Sequence, residues 1–432
     1  MRVRRTLAPL AAVLALTLAA AGCGRANAPT DDDGAAATGE VAADGEASGE
    51  IEIWTADGHG DNLTTLAQGF LDANPDASLK VTDVPWDQII TKAQTAAAAG
   101  TGPDIIMAGA DQTAAVIGTG ALAPMPDGVI DEDDFYPAAI ASVTGPDGLY
   151  GVPWYVETRF IFYRADIAED LGLSAPTTWD EMEAMSAAFK ARDGGTYGMT
   201  LPKPVENPAQ VIVPFVSQAG GAMTDGEKWT IDTPEFIQAM DFYTGFFTRG
   251  EAPLEGGDSD ATFENGGTPM FISGPWMLDT YEQEIEDGVA PDDFTMDDVG
   301  YAVAPSGPAG NNDQYIGGGN LGVFTDSDNA ASAWSLLKWL EEQDQQEQWY
   351  DLNGELPALT AAADYEPIQS NPVTSVLMDQ MQHTIETPSY PAWSQIADLI
   401  GTYSERVANG EISSADAASE IQEKADSIGF GW

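Results

Sequence analysis

Residues 150–163 read YGVPWYVETRFIFY, and this stretch decides the fold. Apolar and aromatic side chains dominate it, which is typical of a β-strand. It has more residues than one ordinary strand needs, so we expect it to cross between two separate lobes. The chain has 432 residues, which is too many for one hydrophobic core and also favours two lobes.

Upstream of this stretch, strands and helices alternate. Residues 51–54, 78–84 and 104–107 have the composition of strands, and helices are predicted from about residue 62 to residue 73 and from 89 to 99. The order βαβαβ predicts a mainly parallel sheet with helices on its faces, an α/β fold. Binding sites in such sheets lie at the carboxyl ends of the strands.

Downstream, the same alternation continues with fewer strands. Thr178 and Glu181 have the spacing of a capping box at the start of a helix. Residues 270–272 and 315–324 are predicted strands, the second interrupted by three glycines. The tail from 392 to 428 is predicted to be helical throughout.

The charge of the chain excludes one class of partner. There are 70 Asp and Glu residues against 16 Lys and Arg, giving a formal net charge of −54. No basic surface is available to release counterions, so we expect no nucleic acid partner. Direct binding to anionic lipid is disfavoured for the same reason.

The N-terminus predicts export. Arginines at positions 2, 4 and 5 precede an apolar stretch from Leu7 to Ala21, which is too short to span a bilayer. Small residues then lead to Cys23, the only cysteine, which has no partner for a disulfide and too few for a metal site. The arrangement resembles a bacterial lipobox, with Ala20 where leucine is commoner. We predict a signal peptide at 1–22, acylation of Cys23 (a palmitate-type anchor) and a disordered acidic linker at 23–49; the alternative is an ordinary secretory signal with a free cysteine.

Several short motifs occur in one order along the rest of the chain. Together they resemble the extracellular solute-binding proteins of bacterial ABC sugar importers, a group that includes maltose- and trehalose-binding proteins. The resemblance runs from about residue 50 to the C-terminus. The motifs are Gly102-Pro103-Asp104-Ile105, Tyr150-Gly151-Val152-Pro153, Tyr163-Arg164-Ala165-Asp166, Thr178-Trp179-Asp180-Glu181, Ser273-Gly274-Pro275-Trp276, Gly318-Gly319-Asn320-Leu321, Trp339-Leu340 and Gly354-Glu355-Leu356-Pro357.

The resemblance implies a fold and a function. The fold would be a two-lobe periplasmic-binding-protein-like α/β structure with the ligand cleft between the lobes. The N-terminal lobe would hold 50–156 and 321–365, and the C-terminal lobe 157–320 and 366–432. The protein would capture a mono-, di- or short oligosaccharide outside the membrane and deliver it to an ABC permease. We expect a monomer, without cofactor or metal, anchored by lipid to the outer face of the cell membrane.

A sugar ring has apolar C–H groups on its faces and hydroxyls around its edge. A binding site for it therefore needs flat aromatic side chains to contact the faces and bidentate polar groups to bind the hydroxyls. By resemblance, Trp276 would stack on sugar, and Glu157 and Asp111 would bind hydroxyls. The alternative for Trp276 is core packing. For Glu157 it is a structural ion pair with Arg159 or Arg164.

The resemblance implies further contacts in the cleft. Trp393 would close it from the C-terminal helices, although core packing is a close alternative. Gly318, Gly319 and Asn320 would let the backbone approach a ligand, or else form a β-bulge. The remaining candidates lie near the first two strands and in the second lobe: Trp54, Asp57 and Trp86, and more weakly Asn207, Gln210 and Gln218. Asp104 is interpreted as a structural cap.

Two positions depart from the maltose-binding pattern. Gln112 stands where that pattern has arginine, and Ala108 replaces an aromatic residue. Both departures favour a short sugar or a glycoside over a long glucan.

Two alternative classes of function remain. A secreted glycosidase would also use cleft carboxylates and tryptophans, flanking the bond with two acids. Against it, the chain has only two histidines, His59 and His383, to act as catalytic groups. Its sequence also contains no nucleophile elbow, no Walker loop and no spacing of His and Cys residues typical of a zinc site. His59 lies near the loop after the first strand and is interpreted mainly as an exposed loop residue, with contact to the ligand as the alternative. A purely adhesive lipoprotein would leave the ordered cleft motifs unexplained.

Overall fold

The computed structural model describes residues 41–42, 45–56, 58–203, 208–254 and 259–431. The predicted signal peptide and Cys23 lie outside these ranges. Two main sheets organise the described residues. Their strands, with a short hairpin of β4 and β5, are β1 Gly49–Ala56, β2 Ala77–Val84, β3 Ile105–Gly109, β4 Thr144–Gly145, β5 Gly148–Leu149, β6 Val152–Thr158, β7 Phe160–Arg164, β8 Met270–Ser273, β9 Val299–Ala302, β10 Gln314–Val323, β11 Leu356–Pro357 and β12 Thr384–Ile385.

Helices cover both sheets. They are α1 Gly60–Leu66, α2 Gln68–Ala73, α3 Ile89–Ala99, α4 Thr113–Gly118, α5 Pro137–Val143, α6 Ala165–Asp170, α7 Trp179–Ala191, α8 Ala209–Gln218, α9 Pro234–Thr248, α10 Ser259–Glu264, α11 Trp276–Glu286, α12 Ala330–Leu340, α13 Gln343–Asn353, α14 Glu366–Ser370, α15 Pro372–Met381, α16 Trp393–Ala408 and α17 Ser414–Ile428. Of the described helices, none is long and apolar enough to cross a membrane.

The larger sheet has the strand order β11-β6-β10-β3-β1-β2, with β12 paired to β10. Strands β1, β2 and β3 are parallel to one another through β1. This confirms the parallel βαβαβ unit predicted from the sequence, because helices in the connections return each strand to the same edge. Strand β10 is antiparallel to both β3 and β6. One hydrophobic core lies beneath this sheet and includes Ile53, Met107 and Trp334.

The smaller sheet has the order β8-β7-β9, and all of its pairs are antiparallel. A second core packs around helices α7, α8, α9, α16 and α17, with fully buried members such as Phe215 and Tyr243. The two sheets form the two-lobe α/β architecture that the sequence predicts. A third buried cluster contains residues from strands of both sheets, including Val156, Ile316 and Phe271. The residue boundaries between the lobes remain a prediction.

The stretch at 150–163 crosses between the sheets. Strand β6 pairs with β10 and β11 in the larger sheet, and β7 pairs with β8 and β9 in the smaller one. Only Arg159 separates the two strands. The chain therefore passes from one lobe to the other at Arg159, as its excess length predicts.

Strand β10 approaches β6 unusually closely at its glycines. Gly318 has a φ of 122°, and a Cβ there would lie 2.1 Å from the backbone oxygen of Tyr155. The register between β10 and β6 shifts between Gly319 and Asn320. Such a shift is what a β-bulge, the alternative given for these glycines, would produce.

Three sequence predictions need correction. Thr178 caps α7 by accepting from the Glu181 backbone N–H, but the Glu181 carboxylate bonds to Thr177, so the capping box is half formed. The C-terminal tail is two helices, α16 and α17, because Gly410 adopts a φ of 73° between them. The end of the predicted disordered linker is ordered, since Ala47 is buried and donates from its backbone N–H to Asn74.

Gly318→Ala tests the close approach of β10 to β6. The new methyl group would meet the Tyr155 backbone in a strained conformation, so we expect a loss of about 3–5 kcal/mol in the free energy of unfolding. Gly310→Ala is the matched control, because Gly310 also has positive φ, at 83°, but open space around it. The control should lose only about 1–2 kcal/mol. Equal losses in urea unfolding would show that the contact with Tyr155 is unimportant.

Candidate functional site

Loops at the carboxyl ends of three parallel strands meet. His59 follows β1, Trp86 follows β2 and Asp111 follows β3. The rings of His59 and Trp86 lie edge to face with centroids 6.2 Å apart. Gln112, next to Asp111, donates from Nε2 to the backbone oxygen of Trp86 at 3.2 Å. The parallel order of the strands therefore gathers these loops at one edge, where sites form in such sheets.

A polar cluster connects this edge to the second lobe. Gln210, on α8, donates from Nε2 to Asp111 Oδ2 at 3.3 Å, and Arg159 Nη2 donates to Gln210 Oε1 at 3.4 Å. Arg159 Nη1 forms an ion pair with Glu157 Oε1 at 3.4 Å. Among the described residues, this Nη1 is buried and has no hydrogen-bond partner. The distances are at the long end for hydrogen bonds, so ligand hydroxyls can replace these partners at small cost.

Burial sets the protonation of the cluster. Removal from bulk water raises the pKa of Asp111. The hydrogen bond from Gln210 and the charge of Arg159 offset part of this increase. Burial likewise raises the pKa of Glu157, with Arg159 opposing the shift and the Glu355 and Asp111 carboxylates adding to it. The phenols of Tyr155 and Tyr315 have pKa values raised well above the usual range, chiefly by burial. Arg159 is therefore the cation that opposes the effect of burial on the pKa of both carboxyls and favours their ionised forms.

Glu157 and Trp276 open into one cavity of about 400 Å³. Its walls come from β6 and the end of α13 on one side and from α11 and β9 on the other. Trp276 is 40% exposed, and the Arg159 guanidinium lies 4.3 Å from its ring centroid. Further polar and aromatic walls come from Tyr301, Tyr350, Asn353 and Glu355. The cavity therefore combines an aromatic face with carboxylate acceptors between the two lobes.

His59 is buried, contrary to the sequence interpretation of an exposed loop residue. It is 8% exposed, and its Nε2 lies 2.9 Å from Glu355 Oε1. Its ring is stacked near Tyr155 and Trp349, at centroid distances of 5.6 and 5.8 Å. The partner Glu355 lies 296 positions away along the chain, so no local sequence pattern could reveal this pair.

Some predicted residues lie in packed positions instead of the cavity. Trp393 is 4% exposed and packs beside Trp229 in the second core. Trp54 lies within β1, edge to face with Phe324 and beneath Lys92. The tertiary packing explains both placements, because a tryptophan in a strand or helix is equally suited to a core and to a sugar face.

The glycine-rich part of β10 also has a structural explanation. Asn320 is buried, and its Nδ2 donates to Thr113 Oγ1 and to Ser142 Oγ, each at 2.9 Å. A Cβ at Gly319 would lie 2.5 Å from the Tyr155 ring. The space beside Gly318 and Gly319 is therefore filled by β6, where the resemblance implied a ligand.

The remaining candidates divide in three ways. Asp57 and Asn207 lie outside the described residues. Gln218 is fully buried and bonds to Trp179 and to the Asp313 backbone, so it supports the core. Asp104 accepts from the Glu52 backbone N–H on β1 and from the Ser327 hydroxyl, so its role is structural, although neither bond caps a helix.

Sequence reasoning missed the central role of Arg159. It appeared only as an ion-pair alternative for Glu157, whereas the structure makes it the shared partner of Glu157, Gln210 and Trp276. Its position in the sequence could have indicated this role, because Arg159 is the one basic residue in the crossing stretch 150–163 of a chain with few basic residues. Tyr315 and Glu355 gave no such signal.

A second cavity of about 700 Å³ lies between α5, α8 and the segment 385–390. Its lining is mostly apolar and includes Ala141, Val213, Met223 and Tyr390. None of the predicted site residues lines it. In the described ranges, no group of three or more His, Cys, Asp or Glu residues is placed to hold a metal ion.

Comparison with known proteins gives consistent matches. A family model described as "Bacterial extracellular solute-binding protein" matches residues 65–376. The diacetylchitobiose binding protein DasA of Streptomyces coelicolor is 27% identical, covering 97% of this chain and 97% of that protein. The galactooligosaccharide-binding protein of Bacillus subtilis is 23% identical, covering 87% and 88%.

Solved structures show the same fold. The sugar-binding protein MalE of Xanthomonas citri superposes with a TM-score of 0.76 at 25% identity, over 88% of this chain and 97% of that one. The acarbose-binding GacH receptor of Streptomyces glaucescens gives 0.75 at 23% identity, over 88% and 98%. The two-lobe architecture is therefore that of MalE-like binding proteins.

Arg159→Met tests the charge balance of the cluster. Without the guanidinium, ionised Glu157 and Asp111 lose their compensating charge, and the free energy of unfolding should fall by about 1–3 kcal/mol at pH 7. The native pKa of Glu157 would rise further, so the folded state would bind more protons than the unfolded one. The variant should therefore lose stability more steeply than wild type as the pH rises from 4.5 to 7.

Urea unfolding at several pH values measures this effect. The double variant Arg159→Met/Glu157→Gln is the matched control, because it removes one of the uncompensated carboxylates and should recover part of the loss at pH 7. If the single and double variants have the same pH dependence, Arg159 does not balance Glu157.

Proposed function

Because the chain belongs to the family of bacterial extracellular solute-binding proteins, we propose that it captures a sugar outside the cytoplasm and delivers it to the permease of an ABC importer. The observation that carries the proposal is the cavity in which Glu157 and Trp276 meet between the two lobes. Relatives with matched length are named as binding proteins for diacetylchitobiose, galactooligosaccharide and maltooligosaccharide. These names support a carbohydrate ligand.

The side chains of the cavity suit the chemistry of a sugar. The exposed part of Trp276 offers an apolar ring face to the C–H groups of a pyranose. Glu157 in the lining accepts hydrogen bonds from hydroxyls. Asp111 and Arg159 lie beside the lining, where Asp111 adds an acceptor, and Arg159 Nη1, which is ion-paired with Glu157 but makes no hydrogen bond to a described residue, adds a donor. Hydrogen bonds to charged groups are stronger than neutral ones, so a few such contacts orient the ligand.

Capture depends on both lobes contributing to the site. Asp111 and Glu157 lie on strands or loops of the larger sheet, whereas Gln210 and Trp276 lie on helices α8 and α11. A ligand that touches both sets favours the closed arrangement through its higher affinity for that state. The closed form then presents both lobes to the permease.

We propose a mono-, di- or short oligosaccharide as the ligand. A cavity of about 400 Å³ lies in the lower part of the range for small-molecule sites, roughly 300–1,000 Å³. Gln112 is engaged with the backbone of Trp86 and Gly109, so it is not free to replace the arginine of the maltose-binding pattern.

We propose binding without turnover. A glycosidase needs one carboxylic acid to donate a proton and a second group to attack or activate water. Here Asp111 and Glu157 share the charge of Arg159, which acts on the pKa of both carboxyls in the same direction. An acid–base pair requires environments that separate the two pKa values, and the family consists of binding proteins.

A thermal-shift screen tests the proposed function. The panel is diacetylchitobiose, a galactooligosaccharide, maltotriose, trehalose and mannitol, with glucuronic acid as an anionic comparison. A sugar that binds only the folded state raises the melting temperature. With the best sugar, Trp276→Ala should raise the dissociation constant by about tenfold or more, which is ~1.4 kcal/mol, in calorimetric titration.

Two controls make this test decisive. Trp339→Ala removes another half-buried tryptophan, which packs on Phe70 away from the cavity lining, and should leave the dissociation constant unchanged. Chromatography after long incubation should show intact sugar. An unchanged affinity in Trp276→Ala would remove Trp276 from the site, and released product would favour the glycosidase.

We also propose that Cys23 carries the lipid that holds the protein at the outer face of the cell membrane. The support is the sequence alone: a charged leader, a short apolar segment and small residues before the single cysteine. Cys23→Ala should move the protein from the membrane fraction to the medium with its sugar affinity intact, as measured by fractionation and titration. If both forms partition alike, the ordinary secretory signal is the better interpretation.

A further inference from the structure

Both ring nitrogens of His59 face hydrogen-bond acceptors. Nδ1 lies 3.2 Å from the backbone oxygen of Ala56, and Nε2 lies 2.9 Å from Glu355 Oε1. A neutral imidazole has only one N–H, so its other ring nitrogen would direct a lone pair at an oxygen. The doubly protonated imidazolium satisfies both acceptors. The geometry therefore favours the charged form of His59.

Aromatic rings surround this histidine. The Tyr155 ring lies at a centroid distance of 5.6 Å and an interplanar angle of 24°, and the Trp349 ring at 5.8 Å and 17°. Trp86 meets the imidazole edge to face at 6.2 Å. Aromatic faces attract a cation within about 6 Å. The Tyr155 and Trp349 rings, which lie within this distance, add to the preference for an imidazolium and fix its plane.

Glu355 is held at both oxygens. Oε1 pairs with His59, and Oε2 accepts from Trp349 Nε1 at 2.8 Å. The same Glu355 lines the cavity that contains Glu157 and Trp276. His59 therefore sits directly behind a carboxylate that faces the proposed ligand space, although it is absent from the lining itself.

We propose that His59 is a positioning residue for this cavity: as an imidazolium it fixes the Glu355 carboxylate at the cavity wall, where Glu355 accepts hydrogen bonds from a sugar. The inference rests on the proposed sugar-binding function and adds Glu355 to the residues that contact ligand. Loss of the proton from His59 removes the positive charge that compensates Glu355 and leaves the carboxylate held by neutral hydrogen bonds at most, close enough to Glu157 for the two charges to repel. Sugar affinity is then tied to the protonation of His59.

The charged and titratable groups around His59 set the direction of this effect. They are Glu355 after α13, Asp83 on β2, and Glu157 and Tyr155 on β6. Burial lowers the pKa of His59, but Glu355, the Ala56 carbonyl and Asp83 together raise it above 6.5. The imidazolium is therefore present below that raised pKa and is lost as the pH rises through it.

Titration of the best sugar from the panel at pH 4.5 to 9 tests the proposal. The affinity should fall at low pH, where Asp111 and Glu157 take up protons, and fall again by roughly three- to tenfold as His59 loses its proton. We call these two falls in affinity the acid limb and the alkaline limb of the pH profile. The neutral panel sugars have no group that titrates in this range, so both limbs report groups of the protein. In His59→Gln the alkaline limb should vanish, while the acid limb stays.

His383→Gln is the matched control, since His383 is the other of two histidines and is exposed. It should keep both limbs. Glu355→Gln should weaken binding, abolish the alkaline limb and lower the pKa of His59 measured by NMR of the imidazole ring. If His59→Gln does not fold, the wild-type protein still tests the proposal. The midpoint of its alkaline limb must equal the pKa of His59 measured by NMR.

The outcomes separate this inference from the proposed function. If no panel sugar binds at any pH, the proposed function fails and the inference fails with it. If a sugar binds with an affinity that does not change from pH 6 to 9, or if Glu355→Gln binds as wild type does, only the inference is overturned. If His59→Gln has a lower melting temperature but keeps both limbs of the pH profile, the role of His59 is purely structural and the inference is overturned.

Discussion

The close approach of β10 to β6 is the constraint on which the site depends. Gly318 lets the two backbones come within a distance that excludes any side chain, since a Cβ there would lie 2.1 Å from the Tyr155 oxygen. At Gly317 a Cβ would lie 2.7 Å from Glu157 Oε1. The glycines thus make the space that Tyr155 and Glu157 occupy. Without them β6 could not bring Glu157 to the cavity and continue through Arg159 into the second sheet.

The charges of the site are balanced by two cations in a chain with very few. Arg159 compensates Glu157 and Asp111, and His59 compensates Glu355. Burying such charges is costly unless each has a partner, because desolvation opposes the Coulomb attraction. The arrangement orients the carboxylates before a ligand arrives. A hydroxyl-rich ligand then replaces long protein contacts instead of having to order a disordered site.

Sequence patterns predicted the parts of the fold that depend on local periodicity. The parallel β1, β2 and β3, the crossing stretch and helices such as α3 and α12 follow from apolar spacing and from breakers such as Gly100. The edge where His59, Trp86 and Asp111 meet follows from strand order. The sequence could not separate cleft tryptophans from core tryptophans: Trp276 is exposed, whereas Trp393 is packed beside Trp229. The burial of a tryptophan is decided by contacts with distant segments.

Contacts with distant segments also explain why the sequence predicted an exposed His59, whereas the residue is buried. Its surroundings are built from β2, β6 and α13, segments that have no local relation to the loop after β1. Only the folded arrangement shows that both ring nitrogens meet acceptors and that Glu355 connects the histidine to the cavity. The cavity lining itself contains Glu157, Glu282 and Glu355 and no basic side chain. Carboxylates accept hydrogen bonds from hydroxyls but repel acidic groups. The three carboxylates of the lining outnumber the cations described beside it, Arg159 and His59, so the cavity and the net charge of −54 act together against anionic sugars and in favour of neutral ones.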